Sequence, residues 1–185
     1  MGANVAAPAA SGIPSTHDPR RPRVLSHARA MLTGAPVIAD GVSFPGDQVG
    51  FVRAAFWAVG IDLFDRDIAA DATADSLQIL YRTAAARQWL HAESPRPGDL
   101  VFFDPNDRGN ALYPAQVAIV ETIATDGTFT ALGSFRNGPD RITLNLRTPD
   151  IQTASDGRRL NDLLAGDSTL TAAQLFRSFA NPLAP

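Results

Sequence analysis

Apolar and polar positions divide the chain into a helical first half and a strand-rich second half. The strongest helical segment follows Asp47. Val49, Val52, Phe56 and Val59 form one apolar stripe, Phe51, Ala54, Ala55 and Ala58 cover much of the remaining surface, and Arg53 is its lone charge. A helix apolar nearly all round belongs in the middle of a fold. Asp47 is a good N-cap and Gly60 a good stop, so the spacing predicts a helix to about Val59. A shorter helix is expected from Ser26 to about Thr33 with Gly34 ending it, and a further one from Ser76 to Trp89 capped by Asp75. Between the first two, positions 35–46 read as loop or short extended structure.

After the turn Pro95-Arg96-Pro97-Gly98-Asp99 the period changes from helical to extended. Leu100-Val101-Phe102-Phe103 is a short apolar strand, 116–122 is rich in β-branched residues, Asp126-Gly127 is a hairpin signal, 128–132 returns, and 141–146 alternates as a half-buried strand. Helices are then expected at about 159–165 and 171–179, the second opened by Thr171. Helices, an antiparallel meander and short helices in that order predict an α+β fold with the sheet packed on the central helix. No internal repeat is present.

The chain has 185 residues, 45% of them hydrophobic, which suits one domain with a proper core. Residues 1–23 are rich in Ala, Pro, Gly and Ser and read as a flexible tether, with 24–185 as the domain. The first sixteen residues lack the basic start and apolar stretch of an intact secretion signal, and their composition matches what is left after such a signal is removed. No apolar run reaches membrane-spanning length. A net charge of −3 and a pI near 5.5 give no electrostatic reason to expect nucleic acid. All 16 basic residues are arginine, a bias that points to a GC-rich genome rather than to a function. The cluster Arg20, Arg21 and Arg23 reads as a solvated tether or as a contact for an acidic partner. With no cysteine, disulfides, thiolate metal sites and thiol catalysis are all excluded.

Three segments in register resemble the NlpC/P60 cysteine peptidases and the related CHAP proteins. Asp47-Gln48-Val49-Gly50-Phe51-Val52 is similar to their nucleophile helix, Arg96-Pro97-Gly98-Asp99-Leu100-Val101-Phe102-Phe103-Asp104 to their first strand, and Gln116-Val117-Ala118-Ile119-Val120-Glu121 to their second. Leu144-Asn145-Leu146-Arg147, Leu160-Asn161-Asp162-Leu163 and Leu175-Phe176-Arg177-Ser178-Phe179 extend the resemblance through about Phe179. It implies a papain-like fold, a buried helix under an antiparallel sheet with extra N- and C-terminal helices. It also implies a nucleophilic cysteine, a histidine base and an orienting polar residue, at positions held here by Gln48, Gln116 and Gly133. None of these can do that chemistry. The chain is therefore expected to be a pseudoenzyme.

The ligand groove implied by the resemblance comprises Asp47, Gln48, Gln116 and Ser134, with the Gln48 and Gln116 amides close enough to hydrogen-bond each other. Binding of a peptidoglycan stem peptide is one expectation. A protein-interaction or assembly module with the old groove closed is another, and a hydrolase of cell-wall peptides with a displaced site is a third. The resemblance implies a bacterial cell-envelope location, periplasmic or lipid-anchored, while the sequence itself leaves a cytoplasmic one open. No cofactor is expected. Ser43 and Ser134 lie near the expected groove but read first as turn or cap residues. His17, His27 and His91 fall outside the strands that would hold a base. Asp47 reads as a helix cap before a ligand, and Trp57 and Trp89 as core before groove walls. Asp104-Pro105-Asn106-Asp107-Arg108-Gly109-Asn110 is oxygen-rich but lacks the spacing of a calcium loop, so it reads as a turn.

Overall fold

The computed structural model describes residues 18–35, 37–70, 73–105, 112–164 and 169–184. Twelve elements follow in order among them: α1 (Arg20–Leu32), β1 (Ile38–Ala39), β2 (Val42–Ser43), α2 (Gln48–Trp57), α3 (Arg66–Ala69), α4 (Ser76–Ala86), β3 (Leu90–His91), β4 (Leu100–Phe103), β5 (Gln116–Ile123), β6 (Phe129–Phe135), β7 (Gly138–Leu144) and β8 (Phe176–Ala180). β1 and β2 form a small hairpin. The other strands make one antiparallel sheet in the order β3-β8-β4-β5-β6-β7. The architecture is α+β.

The central helix forms where its pattern places it. The Asp47 side chain accepts the Gly50 N–H at 2.7 Å and closes the first turn. A Cβ at Gly50 would lie 1.9 Å from the carbonyl oxygen of Pro45, so only glycine lets the preceding loop cross against the helix there. Phe51, Val52, Ala54, Ala55 and Phe56 have no exposed surface. The helix ends at Trp57, two positions before the expected Val59.

Both faces of the sheet are covered. Leu100, Phe102, Val117, Ile119 and Leu132 pack with Val24 of α1, Phe51 and Phe56 of α2 and Leu80 of α4. Val101, Phe103, Ala118, Val120, Phe129 and Leu144 pack on the opposite face with Ala172, Leu175 and Phe179. Burial on both sides explains why β4 and the start of β5 read as nearly unbroken apolar runs.

Several expectations are corrected. α1 begins at Arg20, not Ser26, so residues 20–23 are its first turn rather than part of a tether. Asp18 accepts the Arg20 N–H at 2.8 Å, and Pro22 falls in the first turn, where a missing N–H costs nothing. The arginines of this turn are structural. Arg21 bonds Asp99, Asn181 and the Pro97 carbonyl, and Arg23 bonds the Ala58 carbonyl. α4 stops at Ala86 because Gln88 turns left-handed (φ 56°) and releases Leu90 into β3. β7 starts at Gly138 and ends at Leu144, short of the expected Leu146.

The two expected C-terminal helices do not form. Arg159 and Leu163 make isolated bridges to Thr153 and Thr171, and 165–168 lie outside the described residues. Thr171 does cap as expected: it accepts the Gln174 N–H while Gln174 accepts the Thr171 N–H. The result is a single turn, after which β8 enters the slot between β3 and β4. Leu175, Phe176, Phe179 and Ala180 have helical spacing, but the unpaired side of β4 offers more to a strand than solvent offers to a helix.

Candidate functional site

α2 meets the sheet where β5 begins. The paired register of β5 and β6 starts at Ile119 and Leu132, which leaves the ladder open at the N-terminal end of β5. Gln48, the first residue of α2, fills that opening. Its amide nitrogen donates to the Ala115 carbonyl at 3.0 Å, and its amide oxygen accepts the Val117 N–H at 2.9 Å. One side chain thus completes the β5 backbone on both sides of Gln116. The expected contact between the two amides is not made. Gln116 donates instead to the Ser134 carbonyl at 3.1 Å. Open backbone groups claim each glutamine, because a ladder N–H or C=O without a partner is costly.

Ser134 is 6% exposed, and its hydroxyl donates to the Gly46 carbonyl at 3.0 Å. This bond ties β6 to the loop before α2. Gly133 is buried with its α-carbon face filled: a Cβ would meet a ring carbon of Phe135 at 3.0 Å and the Ala118 methyl at 3.2 Å. Any side chain at this position would have to displace the Phe135 ring. Asp47, Gln48, Gln116 and Ser134 are therefore brought together, through backbone bonds rather than around an open reactive centre. Asp47 is exposed and serves as the helix cap, and Ser43 is exposed on β2.

His17 lies outside the described residues. His27 sits on α1 with a buried ring nitrogen that has no hydrogen-bond partner among the described residues. His91 is near the opposite end of β4 from Gln116, whose register partner is Phe103. Its Nε2 lies 3.4 Å from Asp99 and its Nδ1 3.2 Å from the Glu93 carbonyl. With both nitrogens against oxygen acceptors, neither is presented to a hydroxyl for proton abstraction. Asp99, 1% exposed, also accepts the Arg96 N–H and pairs with Arg21 at 2.9 Å. The aspartate of the Pro-Gly-Asp turn is a bolt between that turn and α1.

Trp57 is half-buried and meets Phe44 edge-on at 6.0 Å, while Trp89 is buried with Arg87 over its ring at 5.3 Å. Both belong to the core and its margin. Among the described residues no three His, Asp or Glu side chains gather to hold a metal ion; Asn106 to Asn110 of the oxygen-rich loop lie outside them. No described helix is long and apolar enough to cross a membrane.

Pattern reading missed a buried charge cluster at Glu121, which is 5% exposed. It accepts from Arg29 of α1, from two nitrogens of Arg141 on β7, and from Thr130 of β6. Burial alone would push this carboxyl up, but the two guanidiniums and the hydroxyl outweigh burial and hold it at about 2. The available signal was a carboxylate closing the apolar run Val117-Ala118-Ile119-Val120, where an unpaired charge would not survive.

No family model, no curated protein and no solved structure matches this chain.

Proposed function

We propose that this chain is a non-catalytic, papain-like domain of the NlpC/P60 type that retains the scaffold for binding. The observation that carries the reading is Gln48. It stands at the start of the buried helix, where the resemblance places a nucleophile, and both ends of its amide are engaged by the β5 backbone. An amide so held has neither a nucleophilic atom nor a group that accepts a proton near neutral pH. Gly133 adds support, since it carries no side chain to orient a base and Phe135 and Ala118 pack closely over its α-carbon.

The ligand implied by the resemblance is a peptide of the bacterial cell wall. The test is co-sedimentation of the purified protein with peptidoglycan sacculi, with the supernatant assayed for released fragments. Binding without release is the expected result. Release of fragments would overturn the non-catalytic reading. Loss of binding together with absence of release would exclude the wall as the ligand.

A second reading is favoured by one bond. The Ser134 hydroxyl on the Gly46 carbonyl, beside the Gln48 clamp, fastens the helix entry to the sheet at the centre of the expected groove. A closed groove fits a protein-assembly module that binds through another surface, and affinity capture that fails when sacculi bind would count against it. A hydrolase with a displaced site has less behind it, since both His91 ring nitrogens face protein oxygens, of Asp99 and Glu93, rather than a hydroxyl.

A further inference from the structure

At the end of β4 away from Gln48, α1 and the turn before β4 enclose a groove of about 490 Å³. Its walls have two characters. Pro22, Leu25 and Pro97 supply apolar surface, and Arg21, Arg29 and Arg96 supply guanidiniums. Arg21, Leu25 and Arg29 are four positions apart on α1 and so share one face.

The cations differ in how much of their hydrogen-bonding capacity the protein uses. Arg21 already spends both terminal nitrogens on Asp99, Asn181 and the Pro97 carbonyl, and acts as floor. Arg29 donates only its Nε, to Glu121, which leaves both terminal amino groups without an acceptor among the described residues. The Arg96 guanidinium has no acceptor there at all. The one carboxylate on the groove wall, Asp18, is already taken by the backbone N–H and the guanidinium of Arg20.

Arg96 is also held ready. Its backbone N–H is fixed by the buried Asp99 carboxylate, and its carbonyl accepts the Asp99 N–H at 2.9 Å. Gly98 in the same turn has φ +90°, and the Arg21 side chain packs 3.4 Å from where its Cβ would stand. With the backbone already fixed, only the exposed side chain of Arg96 has to be ordered when an anion arrives. The same arginine lines a neighbouring cavity of about 290 Å³ with His91, Asp99 and Asn181.

We propose that this groove binds a small amphiphilic anion, a carboxylate or phosphate carried on an apolar body. The anionic head takes the free donors of Arg96 and Arg29, and the body lies on Pro22, Leu25 and Pro97. Charge complementarity selects this occupant: the groove offers two incompletely paired guanidiniums in a chain whose net charge is −3. Its volume falls in the range of small-molecule sites. The site does not depend on the reading of Gln48, which lies at the other end of β4.

The test is titration calorimetry on the full chain with octanoate, octyl phosphate and octanol. Saturable binding of at least one anion is expected, roughly tenfold tighter than octanol and weakened by added salt. Preference between the two anions identifies the head group. Arg96→Gln is expected to weaken the preferred anion roughly tenfold while melting as the wild type does, because its guanidinium bonds no group among the described residues. Arg147→Gln, at the β5–β6 hairpin, should bind as the wild type does. Three results would each overturn the proposal: octanol binding as tightly as the anions, Arg96→Gln binding unchanged, or no saturable anion binding into the millimolar range. Concentration-dependent self-association abolished by Arg96→Gln would assign the groove to a second copy of the chain instead.

Discussion

Replacing Gly50 with alanine would drive a methyl group into the Pro45 carbonyl oxygen at 1.9 Å. The neighbour is backbone, so no side chain can swing aside, and either the loop or the first turn of α2 must move. A loss of about 3 kcal/mol is expected, seen as a fall of roughly 6–12 °C in the thermal midpoint. Glu121 sets a different residue-scale prediction. Its folded-state pKa of about 2 lies below the ordinary 4.5, so it stabilises fully above pH 4.5 and that contribution is lost as pH falls towards 2. Glu121→Gln should lose about 2 kcal/mol at pH 7, less than for a fully buried pair because both arginines are half exposed. The variant's stability should then be flatter than wild type between those two pH values, as measured by urea titration at each pH. The two residues differ in how plainly the sequence announces them. Gly50 sits in a recognisable motif, whereas the partners of Glu121 come from α1 and β7, which no local pattern connects.

At the scale of elements, the stretch between β7 and β8 shows why periodicity misled. It is held by side-chain amides rather than by a regular ladder. Asn161 has no exposed surface; it accepts the Asn145 N–H and donates to the carbonyls of Thr148 and Ile151. Asp162 exchanges bonds with Thr143 through its carboxylate and its N–H, which also covers the outer edge of β7. Asn161→Leu keeps the branched outline of the side chain but strands one donor and two acceptors. A loss of about 3 kcal/mol is expected, read as a lower urea midpoint with an unchanged slope. The helix expected at 159–165 rests on local sequence, which carries no sign that the Asn161 and Asp162 side chains are committed to distant backbone. α2, β4, β5 and the Asp126-Gly127 hairpin were legible because cap, period and turn all agree there. Gln48 was legible as a position but not as a clamp, since the gap it fills exists only once β6 parts from β5.

For the whole molecule, the α+β class and the sheet-on-helix arrangement follow from the pattern of the chain, while the position of β8 does not. β4 takes β5 on one side and β8 on the other, and Arg177 of β8 reaches back to Asp104 across 73 positions. The middle of the sheet is thus closed by a strand made long after its neighbours, and this governs the order of events on the ribosome. A nascent chain that has exposed everything through β7 still has β3 unattached and one side of β4 bare. Such a chain should stay sensitive to protease and attractive to chaperones, and become resistant only when 176–180 clear the exit tunnel. Proteolysis of chains stalled at successive lengths measures this directly; resistance gained once β7 emerges would show that β8 is an addition rather than a closing piece. The pairing of distant strands also predicts slow refolding. In the cell, the interval between making β4 and covering it is the period of greatest risk of aggregation.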